Sequence, residues 1–319
     1  MEYTHLGRIG LRVSRLCLGT VSFGRHTSPE ESLAILDRAL QAGINFFDTS
    51  NSYNEGLTET ITGNWLSQDK SRRDQIVLAT KVYSQMGEGP NDARLSAYHI
   101  RRACEDSLRR LQTDHIDLYQ MHHVDRRTPW EEIWQAMEQL VREGKISYVG
   151  SSNFAAWHIA RAQGIANQRN FLGLVSEQSV YNLRSRAIEL EVLPCCRELG
   201  LAVISYSPMG SGLLCGILDN PTTGRRGREV LRDVIKTHRP QLQAYEALCA
   251  SIGQSPANVA LAWVLNNPDI TAPIIGARTV EQFEDTVSVL ALKLDDEILA
   301  KLDEIWPGPG GEAPEAYAW

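Results

Sequence analysis

Apolar residues along this chain fall into two alternating patterns. Compact runs such as I-N-F-F-D at Ile44–Asp48 read as buried strands, because few polar positions interrupt them. Longer stretches repeat apolar residues at helical spacing, as Leu33, Ile35, Leu36, Ala39 and Leu40 do. That helix is opened by Ser28-Pro29-Glu30-Glu31, with a cap, a proline at the first position and acids in the first turn, and Gly43 closes it.

Taken in order, Tyr3–Val13, with turn residues Gly7 and Gly10, predicts a small β-hairpin, and Arg15–Gly19 the first core strand. The strand Ile44–Asp48 leads to a helix near Glu55–Leu66 and a strand over Gln75–Lys81. Helix Ser96–Leu111 precedes strand Ile116–Met121, and helix Pro129–Arg142 precedes strand Ile146–Gly150. Helix Ala155–Asn167, strand Leu174–Glu177, helix Ile188–Leu199 and strand Leu201–Tyr206 follow. Two helices, Gln241–Ser251 and Pro256–Asn266, then lead to strand Ile270–Ile275 and helix Val280–Leu290. Eight core strands, most followed by a helix, predict a parallel sheet closed into a (β/α)8 TIM barrel with an N-terminal β-hairpin. The alternative is an open doubly wound sheet, but no G-x-G-x-x-G follows the first strand. No linker divides the chain, so residues 1–319 are expected to form a single domain. A last helix at Asp295–Trp306 is followed by a tail rich in glycine, proline and alanine, expected to be flexible over residues 306–319.

Composition narrows the function without naming it. The 43% hydrophobic and 22% charged residues suit a soluble globular protein with a large core. With 32 basic against 39 acidic residues the net charge is −7, and the arginine pairs are scattered, so no nucleic-acid partner is expected. Six cysteines show neither C-x-x-C nor metal-finger spacing and read as reduced thiols. No signal-like core opens the chain and no run is long enough to span a membrane, so the expected location is cytoplasmic.

The chemistry lies at the strand ends. Asp48 ends one predicted strand and Tyr53 follows it closely; Lys81 ends the next, and His122 ends the one after. Barrel enzymes gather catalytic side chains from the carboxyl ends of different strands, so these four are the candidate active site. A phenol beside an ammonium, itself aimed by a carboxylate, suits delivery of one proton to an oxygen, as in carbonyl reduction. Lys81 is expected to lower the Tyr53 pKa, and a fall from about 10 to about 7 corresponds to roughly 4 kcal/mol.

Five motifs in order, D-T-S-N-S-Y, the Thr80-Lys81 strand end, D-L-Y-Q-M-H, G-S-S-N-F at Gly150–Phe154 and S-Y-S-P-M-G-S-G at Ser205–Gly212, resemble those of the aldo-keto reductase superfamily. The resemblance runs from about Tyr3 to Leu290. It implies Tyr53 as general acid, Lys81 and Asp48 tuning it, and His122 orienting the carbonyl. It also implies a nicotinamide cofactor, NADP, held without a Rossmann domain. Ser152, Asn153 and Gln178 match the residues that bond the carboxamide, and Tyr206 matches the ring that stacks on the nicotinamide. Thr20, Ser207, Met209, Ser211 and Gly276 are carried over as further cofactor contacts. Arg278 points to a 2′-phosphate, which a guanidinium grips bidentately.

This chain departs from the family pattern in places. Gln282 and Thr286 stand where many members have arginine and asparagine near the adenosine. Gly276-Ala277 replaces a Lys-Ser pair, and His123 replaces a tryptophan, which makes the pocket wall more polar. Cys215–Pro240, with Arg225, Arg226, Arg228 and Arg232, is read either as a loop closing over the cofactor or as a solvated basic loop. The substrate is expected to be a small carbonyl compound. The alternatives are an enoyl or keto reductase of nucleotide-sugar or polyketide tailoring, and a channel-type redox-sensing subunit. A metal-dependent lyase using His122, His123 and Asp48 is disfavoured, because adjacent residues on a strand face opposite ways.

Overall fold

The computed structural model describes residues 1–218 and 229–318. Among the described residues ten strands carry the topology. β1 (Tyr3–His5) and β2 (Arg12–Ser14) pair antiparallel as a hairpin. β3 (Cys17–Gly19), β4 (Phe46–Asp48), β5 (Val77–Val82), β6 (Ile116–Met121), β7 (Ile146–Ser152), β8 (Leu174–Val180), β9 (Ala202–Tyr206) and β10 (Ile270–Ile275) form a closed barrel, with β10 paired to both β9 and β3. Every barrel pairing is parallel. The predicted (β/α)8 barrel with its hairpin is the fold observed.

The helices between strands are α1 (Pro29–Gln41), α2 (Leu57–Gln68), the single turn α3 (Ser71–Asp74), α4 (Ala97–Leu111), α5 (Trp130–Arg142), α6 (Ala156–Gln168) and α7 (Val192–Leu199). After β9 come α8 (Glu229–Thr237), α9 (Arg239–Ser251) and α10 (Pro256–Asn266). α11 (Val280–Val287), α12 (Asp296–Ile305) and the short α13 (Glu315–Ala318) follow β10. Side-chain caps open some of them: Ser28 and Ser96 accept from Glu31 N and His99 N, and Thr279 and Asp295 do the same for α11 and α12. No single described helix is long and apolar enough to cross a membrane.

Two apolar layers result. The larger lies between barrel and helices; the smaller fills the barrel with Cys17, Phe46, Ala79, Leu118, Val175, Ile204 and Ala272. The hairpin belongs to the inner layer, because Leu6, Ile9 and Val13 pack onto the barrel's amino-terminal end. Burying each such side chain contributes about 1.5–3 kcal/mol, so the hairpin is a floor plug. Gly7 makes the close approach possible: its φ is +64°, and a Cβ there would lie 2.6 Å from Gly200 O.

Several boundaries differ from the sequence reading, for tertiary reasons. β4 begins at Phe46 because Asn45 is tied to the hairpin, accepting from Ser14 N at 2.7 Å and donating to Arg12 O at 3.1 Å. The helix expected from Glu55 starts at Leu57, after a 3-10 turn whose Asn54 and Glu55 are left-handed. β8 runs on to Val180 through polar residues that patterning excluded. The helix expected from Ile188 starts at Val192, behind a separate turn at Ala187–Glu189. Cys215–Pro240 is not one loop: α8 and the start of α9 occupy its second half, with Arg232 exposed on α8. Arg225, Arg226 and Arg228 lie outside the described residues. Beyond α12, Trp306 is buried, Ala313 N donates to Leu190 O at 2.9 Å, and Glu312 pairs with Arg197.

Candidate active site

The barrel strands deliver their last polar side chains to one end. Asp48 closes β4, Lys81 lies within the last turn of pleat of β5, and His122 follows β6 directly. Tyr53 opens the 3-10 turn beyond β4. Lys81 is fully buried, and its Nζ donates to Asp48 Oδ2 at 2.5 Å, Thr49 O at 2.9 Å and Tyr53 Oη at 3.1 Å. An ammonium has three donors and no acceptor, so the Tyr53 oxygen accepts here and its own proton points away from Lys81. The other carboxylate oxygen of Asp48 accepts from Gln120 Nε2 at 2.9 Å and Gln178 Nε2 at 3.0 Å.

These contacts set the charges. Burial pushes the Lys81 ammonium down, but the Asp48 carboxylate and Tyr53 outweigh it and hold Lys81 above its ordinary value. Tyr53 differs from the sequence expectation: its pKa is raised, not lowered. Burial of the phenol is the largest cause; Lys81 opposes it, and Asp48 adds to it. From the phenol the carboxylate and the ammonium form a nearly neutral pair, which is why the single-cation argument overshot. Burial and Lys81 drive His122 down to about 3, so its imidazole is neutral at ordinary pH. Its Nδ1 lies 3.1 Å from Ser50 Oγ, and its ring meets that of Tyr53 edge-on at 5.8 Å.

Asp48, Tyr53 and His122 line a cleft of about 860 Å3 that also takes in every residue assigned to cofactor contact. Ser152, Asn153, Gln178 and Tyr206 line it, as does Thr20, whose Oγ1 donates to Asp48 O at 3.0 Å. Asn153 Nδ2 donates to Ser152 Oγ at 3.0 Å and His122 O at 3.2 Å, and Tyr206 Oη donates to Asn153 Oδ1 at 2.8 Å. Both hydrogens of the Gln178 amide are taken by Asp48 and Gln120 Oε1, which leaves its carbonyl oxygen as the acceptor at the cleft. Ser207, Met209, Ser211, Gly276, Arg278, Gln282 and Thr286 line the remainder. Arg278 is the one arginine or lysine lining the cleft among the described residues. Gln282 uses its carbonyl oxygen on Arg278 N at 3.1 Å, and Thr286 Oγ1 donates to Gln282 O at 2.8 Å. A cleft lined by amides, hydroxyls, a phenol ring and one guanidinium offers the groups that a dinucleotide needs. Lys81 stands behind Tyr53 and does not line the cleft.

Residues that the sequence reading did not single out complete the site. Gln120 stands on the same strand face as His122, two positions away, and that spacing was the available signal. Ser50, His26 and the exposed Asp285 also join, and only the folded chain brings them there. Gly150 faces Gln120 across the sheet, and a Cβ on it would lie 2.6 Å from Ser176 Oγ and 3.0 Å from Gln120 Cγ. His123 is exposed, its ring 5.4 Å from that of Tyr83, and it does not line the cleft. Among the described residues no group of three or more His, Cys, Asp or Glu could hold a metal ion.

The family model described as "Aldo/keto reductase family" matches residues 15–307. The chain is 57% identical, over the full length of both, to a protein of Bacillus subtilis (strain 168) named as an uncharacterized oxidoreductase, YrpG. It is 33% identical to a probable voltage-gated potassium channel subunit beta of Oryza sativa subsp. japonica, covering 96% of each chain. It is 32% identical to versiconal hemiacetal acetate reductase of Aspergillus parasiticus, covering 95% of this chain and 96% of that one.

Proposed function

The chain belongs to the aldo/keto reductase family, and from that premise we propose that this oxidoreductase uses NADPH to reduce an aldehyde or ketone to the alcohol. The observation that carries the reading is the Lys81 ammonium bonded at once to Asp48 and to the Tyr53 oxygen, behind a cleft that the phenol faces.

Bound nicotinamide would supply a hydride to the carbonyl carbon. The chain's residues do the rest. As negative charge grows on the carbonyl oxygen, Tyr53 gives it a proton; the phenol O–H breaks as the alcohol O–H forms. A raised phenol pKa does not prevent this, because an alkoxide is a far stronger base than a phenolate. Lys81 then steadies the phenolate it already touches, and Asp48 keeps Lys81 charged and aimed. In the tautomer that accepts from Ser50 at Nδ1, neutral His122 carries its proton on Nε2 and would hold the carbonyl oxygen in line. Ser152, Asn153 and Gln178 would hold the carboxamide, Tyr206 would stack on the ring, and Arg278 would grip the 2′-phosphate that distinguishes NADP.

Purified protein offered aldehydes, ketones and keto-sugars, with NADPH oxidation followed, tests the class directly. Tyr53→Phe should lower turnover about 10²- to 10⁴-fold while changing cofactor affinity little. Near-normal turnover in that variant removes Tyr53 from the proton transfer. A conjugated enone should keep its C=C bond, since neutral imidazole orients a carbonyl at the hydride; a saturated ketone as main product would favour an enoyl reductase. The 57% identity to a protein named as an oxidoreductase favours an enzyme over a channel partner.

A further inference from the structure

Glu177 on β8 is a carboxylate that the proton-transfer site does not use. It is fully buried, pointing away from the barrel interior into which its neighbour Gln178 reaches. Among the described residues no arginine, lysine or histidine pairs with it, although a buried charge without a cation is costly. Burial pushes its carboxyl up to about 7, against the hydrogen bonds it accepts. A fold keeps such a group where those bonds have a use.

Its partners are concentrated in one place. Oε1 accepts from Phe154 N at 3.0 Å and Ser179 Oγ at 2.9 Å, and Oε2 accepts from Ser151 Oγ. Ser151 and Phe154 bracket the turn that leaves β7, and between them lie Ser152 and Asn153. Asn153 is left-handed, with φ of +60°, a state that asparagine tolerates better than other non-glycine residues. Local preference permits this turn but does not by itself fix where its side chains point. The turn is held from behind by Glu177 and from the sheet by Asn153 N, which donates to Gln178 O at 3.0 Å.

We propose that Glu177 is a positioning residue: its carboxylate fixes the Ser151–Phe154 turn so that Ser152 and Asn153 face the cleft in register with Gln178 and Tyr206 to receive the nicotinamide carboxamide. This rests on the reading that those residues hold the carboxamide. A purely structural role has a different signature. Bonding to Phe154 N just ahead of α6, whose N-cap Ala155 offers no side-chain cap, would stabilise that helix without affecting which cofactor ring binds.

The test is equilibrium binding, by titration calorimetry, of NADP+ and of its 3-acetylpyridine analogue, in which a methyl ketone replaces the amide and its N–H donors. Wild type should prefer the amide by about tenfold, the worth of one well-placed hydrogen bond. Glu177→Ala should bind NADP+ about tenfold more weakly and lose the preference, since the turn relaxes and its donors and acceptors scatter. Glu177→Gln keeps an acceptor for Phe154 N–H and should stay within about threefold of wild type with the preference intact. If Glu177→Ala does not fold, Ser151→Ala removes one strut with a single atom and should lose part of the preference. No preference in wild type overturns the carboxamide reading, and the inference with it. A preference present in wild type and undiminished in folded Glu177→Ala, or in Ser151→Ala where that variant does not fold, overturns the role of Glu177 alone.

Discussion

Lys81→Met would separate what the buried ion pair does for the fold from what it does for chemistry. The two side chains are 0% and 3% exposed and 2.5 Å apart, so the charge of Asp48 is answered chiefly by Lys81 and little by solvent. Removing the ammonium leaves a buried carboxylate held only by the amides of Gln120 and Gln178, at 2.9 and 3.0 Å. Breaking a buried pair in this way costs about 3–5 kcal/mol, and the two amide donors place the expected loss toward the lower figure. Replacing both partners by neutral side chains of similar volume is often nearly neutral. Asp48→Asn/Lys81→Met should therefore be about 2–3 kcal/mol more stable than Lys81→Met alone, a positive coupling of the size that contacting residues show. Urea unfolding of wild type, both single variants and the double variant, followed by tryptophan fluorescence with m-values compared, measures each corner of the cycle. Turnover should stay low in the double variant although stability returns, because no ammonium remains to meet the phenolate. A double variant no more stable than Lys81→Met would refute the claim that an uncompensated Asp48 charge is the source of the loss.

Arg278→Ala should weaken NADP(H) about 10- to 150-fold, the worth of a charge-assisted bond of roughly 1.5–3 kcal/mol, and leave NAD(H) nearly untouched; equal weakening of both would make Arg278 structural. Glu177 predicts how stability depends on pH. Its folded value of about 7 lies above the ordinary 4.5, so its contribution is fully present below 4.5 and is lost as pH rises through 7. That span corresponds to about 3 kcal/mol, and Glu177→Gln should abolish it, gaining on wild type between pH 5 and pH 8. The neighbouring Cys195 and Cys196 thiols and the Tyr206 phenol are pushed up by burial and stay protonated across that window. Denaturant melts at both pH values decide the matter: a wild-type-to-variant difference that does not change with pH would refute it.

Much of the fold was legible because its signals are local. The alternation of compact apolar runs with helical repeats depends on residues two to four apart, and caps such as Ser28, Ser96, Thr279 and Asp295 act within a turn. The four strand-end residues were legible for the same reason, since a polar side chain closing an apolar strand shows in the order of residues. What packing decided could not be read this way. The β7–β8 pairing skips a residue, with Val149 opposite Leu174 but Gly150 opposite Ser176, and Gln178 reaches Asp48 on the far side of that irregularity. Gln120 reaches the same carboxylate only because Gly150 leaves room beside it. The hairpin's place as a barrel plug rests on Leu6, Ile9 and Val13 meeting strands distant in sequence. The Tyr53 pKa was misjudged because it sums burial with charges from two other strand ends, and that sum exists only once the barrel closes and excludes water. Residue order determines which groups arrive at a strand end; the closed barrel determines how far each is desolvated, and by which neighbour its charge is answered.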